Sequence, residues 1–170
     1  MLAPFILPIV TDQLQKEIED KLNEVVHQDG MKYFYPVPYI EKEEDKKYSA
    51  YYWRYVIKVD ETLVGYISAD FDPNTNTITN LGFCKFEREK TEMFNKCLLN
   101  FIVYCFKERD IQAITMKSIP GCQGHKYIMK RFVNQEHELF TTEIVGELKR
   151  SRKLRDGTVH STTIFQMLKR

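Results

Sequence analysis

TITNLGFCKFEREKTEMFNKCLLNFIVYCF, residues 77–106, reads as one unit: a strand, a sharp exit and a long apolar helix. Ile78, Leu81 and Phe83 belong to a β-type run, which leaves through Cys84-Lys85-Phe86-Glu87-Arg88. From about Thr91 to Lys107 the spacing predicts a helix, with Phe94, Leu98, Phe101 and Cys105 on one face. A helix N-terminus just past a strand end accepts anions, because its first amide N–H groups have no intrahelical partner. The glycines that usually let such a turn close on an anion are absent here.

Working back from this unit, Trp53–Val59 alternates toward a turn at Asp60-Glu61-Thr62, and Leu63–Phe71 continues as its partner strand. Asp72-Pro73-Asn74-Thr75-Asn76 is a turn signal, so Thr77–Phe83 closes an antiparallel meander of three strands. At the start of the chain, Phe5-Ile6-Leu7 and Ile9-Val10 are broken by Pro8, which permits an edge strand at most. Thr11 is placed to cap a helix with the stripe Leu14, Ile18, Leu22, Val25 and Val26, and Gly30 to stop it. Between them, residues 31–55 crowd nine aromatics around Pro36, Pro38 and the charge run Glu41–Lys47. Those rings either line a pocket or pack a loop onto the core.

Working forward, Ile111–Met116 reads as a strand, and the strand–helix–strand order makes it parallel to the strand before the helix. Pro120-Gly121 opens a second helix, about Cys122 to Val133, with Tyr127, Ile128, Met129 and Phe132 on its apolar side. Two strands, Thr141–Lys149 and Thr158–Leu168, close the chain around the turn Arg155-Asp156-Gly157-Thr158. In the last strand Val159, Thr163, Phe165 and Met167 alternate against His160, Thr162 and Gln166. His125 reads as an exposed residue at the start of the second helix.

A chain of 170 residues with 43% hydrophobic and 29% charged residues suits one soluble globular domain, residues 1–170. Its net charge of +1 gives no global field toward nucleic acid or membrane. The charge is uneven: residues 1–106 hold 12 Lys and Arg against 17 Asp and Glu, and residues 107–170 hold 13 against 7. The basic run Lys149–Arg155 is the main local feature, and it lacks the interleaved aromatics of a single-strand nucleic-acid binder. Cys84, Cys97, Cys105 and Cys122 form no CxxC pair, and with the four histidines they show no metal-ligand spacing, so no metal is expected. Free buried thiols fit a reducing compartment, and Met1–Val10 is too short for a membrane span and lacks a basic n-region. A cytoplasmic protein is the expectation.

The order β, α, three-strand meander, α, parallel β, α, hairpin resembles the GNAT acyltransferase superfamily. Four segments carry the resemblance: LVGYIS (63–68), LGFCKFEREKTEM (81–93), ITMKSIPGCQGHKYIMKRF (114–132) and VGELKRSRKLRDGTVHSTTIFQML (145–168). The resemblance implies an α/β fold of the α+β type: a mixed, mostly antiparallel sheet with helices on both faces and a splayed parallel strand pair. It also implies acetyl-coenzyme A as co-substrate. The coenzyme's pantetheine arm would lie beside Phe83, Cys84 and Lys85, and its pyrophosphate on the loop Arg88, Glu89, Lys90, Thr91 and Met93. Arg88 falls on the family's arginine, while Thr91 and Met93 stand where the family has glycine. Thr91 would cap the helix and offer its hydroxyl to phosphate.

The same resemblance implies direct acetyl transfer to the primary amine of a small molecule or protein. Tyr127 falls at the position of the tyrosine that protonates the leaving thiolate. Pro120 stands where the family has asparagine, and Arg131 replaces the glycine before Phe132. No acidic residue is singled out as base, although Asp70 and Asp72 lie near the end of a meander strand. Cys84 reads as a buried small hydrophobe rather than a nucleophile. The lost glycines and the basic hairpin together support an alternative, a GNAT-fold interaction protein without coenzyme chemistry. Pairing of the final strand between protomers would be a route to a homodimer.

Overall fold

The computed structural model describes residues 3–8, 12–26, 51–154 and 157–170. In chain order the elements are β1 (Ile6–Pro8), α1 (Asp12–Val26), β2 (Tyr52–Val59), β3 (Thr62–Asp72), β4 (Thr77–Lys85), α2 (Thr91–Lys107), β5 (Ala113–Ser118), α3 (Gln123–Ile128), β6 (Phe140–Lys153) and β7 (Val159–Lys169). A π-helical turn, Met129–Val133, extends α3. The expected cap at Thr11, the stop at Gly30, the stretch 31–50 and the turn residues Arg155 and Asp156 lie outside the described residues.

One seven-stranded sheet runs in the order β1-β2-β3-β4-β5-β7-β6. The meander β2-β3-β4 is antiparallel, as its turns require, and β4 and β5 are parallel across the α2 crossover. Asp60 and Glu61 both adopt positive φ, 49° and 63°, the geometry of a two-residue hairpin turn that follows strand twist. Strand β5 starts two residues later than the apolar run suggests, because the buried Ile111 sits in the connection. Pro8 is confined to β1, the edge where a missing N–H costs no ladder bond. At the other edge the expectation fails: β7, the final strand, is paired on both sides and offers no free edge between protomers. The free edge belongs to β6. There Ile144, Val145 and Leu148 are exposed, and irregular register at Ile144/Gly146 and Leu148/Arg152 interrupts the ladder. Val159 is exposed as well, whereas Thr163, Phe165 and Met167 of the same alternating set are buried.

Strand alternation splits the core into two layers, since successive side chains point to opposite faces. Val56, Leu63, Tyr66, Cys84 and Phe86 pack against Ile18 and Leu22 of α1. On the other face Ile57, Val64, Ile67, Ala69, Ile78 and Leu81 meet Phe94, Leu98, Phe101 and Cys105 of α2, with Ile128 and Phe132 beside them. The stripe read from the sequence is therefore the buried side of α2. Gly65 fixes how closely this helix approaches: a Cβ there would stand 2.5 Å from the Phe94 ring. The helices thus cover both faces of a mixed sheet, as the fold reading requires.

Strands β4 and β5 share only two register pairs, Thr77↔Ala113 and Ile78↔Ile114. Immediately afterwards β4 carries an irregularity. Asp70 and Phe71 of β3 pair with Asn80 and Ile78, leaving Thr79 as an extra residue. Such a bulge bends its strand and increases twist, and here it coincides with the point where β4 leaves β5. A wedge opens from Thr79 toward the start of α2.

Candidate functional site

One wall of the wedge is β4 backbone that no described strand pairs beyond Ile78. Phe86 N–H donates to Val64 O at 2.9 Å, and Cys84 stands opposite Tyr66. Ladder alternation then turns the backbone groups of Leu81, Phe83 and Lys85 toward the β5 side, where the described residues supply no strand. Buried or half-buried backbone groups of this kind call for a partner. An extended ligand arm laid along β4 would provide it.

At the wide end of the wedge lies the N-terminus of α2. Its N-cap is Lys90, with no side-chain cap, and the Thr91 N–H reaches only Arg88 O, at 3.3 Å. Among the described residues, Glu92 and Met93 receive no backbone acceptor before Phe94 bonds Lys90 O at 2.9 Å. Free first-turn amides on a 17-residue helix form the positive end of its dipole.

The side chains around these amides are arranged differently from the expectation for Thr91. Its hydroxyl neither caps the helix nor points a proton outward: it donates to Arg88 O at 2.5 Å and accepts from Lys85 Nζ at 2.6 Å. Lys85, expected beside the pantetheine arm, therefore places its ammonium at the start of α2. The sequence offers no signal for that, because it depends on the loop doubling back six residues later. Met93 turns inward against the α2-side core instead of standing over the amides. Arg88, Glu89 and Lys90 are exposed, and Arg88 has no side-chain partner among the described residues. Glu92 is paired with Lys96 at 2.9 Å, and Glu87 faces Lys21 at 3.8 Å. Both repulsive charges are thereby partly neutralised.

Tyr127 stands on α3 against the β4 wall. Its ring meets Phe83 edge-on at 5.8 Å and Phe132 at 5.7 Å, and Phe83 in turn meets Phe94. Burial pushes its phenol up to about 12, with Arg131 pulling weakly the other way. The structure thus brings Tyr127, Phe83 and the start of α2 to one wedge. His125 departs from its expected exposure: its ring lies edge-on to Phe165 at 5.3 Å, Nδ1 is buried with no hydrogen-bond partner among the described residues, and burial lowers its pKa.

Cys84 points away from the wedge into the α1 layer, where it is 4% exposed and burial raises its thiol to about 12. Cys97 and Cys105 are buried too, while Cys122 is half-buried, accepting the His125 N–H at 3.3 Å. In the native protein Cys122 alone is expected to react with an aromatic disulfide within minutes, the other three only on unfolding. Thiol counts with and without denaturant check this. Among the described residues no group of three His, Cys, Asp or Glu could hold a metal ion, and no helix is long and apolar enough to cross a membrane.

No protein-family model matches the sequence, and no curated protein sequence matches it. Solved structures do match in shape. The ribosomal alpha-N-protein acetyltransferase RimL, in complex with coenzyme A, superimposes with a TM-score of 0.73 over 99% of this chain and 96% of its own, at 15% identity. A spermidine N-acetyltransferase SpeG chimera from Vibrio cholerae and hSSAT gives 0.65 over 96% and 94%, at 12% identity. The chain has the GNAT fold.

Proposed function

We propose that the protein transfers an acetyl group from acetyl-coenzyme A to a primary amine. The observation that carries this reading is the pairing of an open β4 edge with free amides at the start of α2. That combination accepts an extended polar arm ending in phosphates. Bound there, the coenzyme would supply an acetyl thioester open to direct attack by an amine.

The chain's own groups divide the work. The α2 amides, Arg88 and Lys85 hold negative charge: Arg88 as an exposed guanidinium with no side-chain partner among the described residues, suited to charge-assisted bonds, and Lys85 as an ammonium already fixed by Thr91. Backbone N–H groups along Leu81–Lys85 hold the arm and polarise a carbonyl laid against them. Tyr127, neutral to high pH, donates a hydrogen bond to a departing sulfur. Acetyl-transferring neighbours of the same fold, one of them with coenzyme A, support this reading.

Isothermal titration with acetyl-coenzyme A tests it. A saturable heat is expected, and Arg88→Ala should weaken binding roughly tenfold, the worth of one charge-assisted bond. No heat and no thermal shift at millimolar coenzyme would sink the reading and leave an interaction protein built on this fold.

A further inference from the structure

We infer that Asp70 receives the ammonium of the acceptor, and that Arg54 and Lys117 restrict that acceptor to a single positive charge. The inference rests on the acetyl-transfer reading above. It starts from a part of the sheet that the coenzyme does not use. Alternation puts Arg54 of β2, Ser68 and Asp70 of β3, and Asn80 and Gly82 of β4 on the α1 face. The α1 contacts end at Val56, Tyr66 and Cys84, so this polar row lies beyond the helix.

The row is built around one carboxylate. Arg54 Nη2 approaches Asp70 Oδ1 at 3.2 Å, and Asn80 Nδ2 donates to Oδ2 at 3.2 Å. Arg54 is itself fixed by the carbonyls of Trp53 and Ala69, at 3.0 and 3.3 Å. Each oxygen of Asp70 keeps acceptor capacity, and the side chain is 32% exposed. A second observation points to a ligand here. Tyr66 is 2% exposed, yet among the described residues its hydroxyl has only the adjoining Ser68 hydroxyl to pair with and completes no well-aligned hydrogen bond, with Arg54 and Asp70 in electrostatic reach. A buried orphan hydroxyl is costly unless something occupies its partner's place. Gly82 leaves the room: a Cβ there would stand 2.6 Å from Ser68 Oγ.

Position ties the row to the reaction. Asn80 follows the Thr79 bulge at the narrow end of the wedge. Five strand steps separate it from Lys85, about 17 Å at the usual rise. An arm anchored at the α2 amides and laid along β4 therefore ends beside Asn80, one hydrogen bond from Asp70. An ammonium on Asp70 gives up its proton through the carboxylate to solvent. The freed amine forms the new C–N bond and sheds its second proton to solvent, the C–S bond breaks, and the departing thiolate takes up a proton from solvent. Lys117 is exposed and alternates with buried Met116, which turns it to the same face of the sheet, three residues past the last β4–β5 pair at Ile114. With Arg54 it outnumbers the carboxylate, so the second ammonium of a polyamine meets positive charge.

Steady-state release of coenzyme thiol, with a neutral tripeptide bearing a free N-terminus and with spermidine as acceptors, decides the matter. The wild type is expected to favour the tripeptide at least about tenfold in kcat/KM. Asp70→Asn should raise the tripeptide KM about tenfold or more, with Asp70→Glu restoring part of it, while the calorimetric acetyl-coenzyme A affinity stays unchanged. Lys117→Glu, a surface change that does not threaten folding, should raise kcat/KM for spermidine. An unchanged tripeptide KM in Asp70→Asn, a preference for spermidine, or turnover of neither amine by a protein that binds acetyl-coenzyme A would overturn the inference. Failure of the wild type to bind acetyl-coenzyme A is read separately by the calorimetry and sinks the acetyl-transfer reading instead.

Discussion

Tyr127→Phe is expected to lower kcat about a hundredfold, the lower range for losing one hydrogen-bond donor to developing negative charge, while the affinity for acetyl-coenzyme A stays within about twofold. The split follows from geometry. The Tyr127 ring packs on Phe83 and Phe132, and phenylalanine keeps both contacts. Only the hydroxyl is lost. The phenol stands near 12 because it is buried, whereas an ordinary thiol ionises near 8.5. Full proton transfer to a thiolate would run uphill by roughly 3.5 units, close to 5 kcal/mol. A hydrogen bond to the departing sulfur is the role the chemistry allows, with solvent completing the protonation.

The same number fixes the pH dependence. Tyr127 produces no alkaline limb in kcat below about pH 11. Tyr66 is also raised to about 12 by burial. Both folded phenols ionise above the unfolded value of about 10, so the sign is clear. Their contribution to stability is complete below pH 10 and is lost as the pH rises toward 12, because the unfolded chain releases protons that the folded chain retains. Activity lost in that window should track loss of folded signal by circular dichroism. A sigmoidal fall in kcat near pH 9 in a fully folded protein would show that Tyr127 is not the donor.

How much of this was legible in the sequence depends on whether a feature is local. The α2 stripe and the turns at Asp60-Glu61 and Asp72–Asn76 are set by residues a few positions apart, and the structure has them where the periodicity placed them. The parallel pairing of β4 and β5 follows from the crossover alone. What escaped was contact between distant positions. Met93 reads as an obstruction until the core shows where its side chain goes, and Thr91 reads as a cap until Lys85 and the Arg88 carbonyl claim its hydroxyl. His125 looked exposed because the segment Gly121–Lys126 is polar, yet Phe165, forty residues later, covers its ring. Asp70 was visible only as one carboxylate near a turn; its Arg54 and Asn80 partners come from two other strands.

Phe101→Ala is expected to cost about 3–5 kcal/mol of folding free energy, the range for removing a phenylalanine from a packed core. For a chain of this size that lowers Tm by roughly 10 °C. Phe101 is fully buried at the middle of α2, and its ring meets Tyr55 of β2 at 5.4 Å. It therefore ties the helix to a strand two places away from β4. Leu99→Ala is the control, since Leu99 is 37% exposed on the same helix and should change stability by less than about 1 kcal/mol. The loss also reaches function through the fold. The first turn of α2 carries the amides that the coenzyme would engage, so ligand bound there stabilises the folded state by mass action. At a hundred times Kd, acetyl-coenzyme A should return about 2.7 kcal/mol to Phe101→Ala. A variant with lowered Tm that regains most of it with coenzyme, and none with an equal concentration of inorganic phosphate, would link the α2 core to the wedge. Equal rescue by phosphate would instead mark the helix start as a simple anion site, with no use for the open β4 edge.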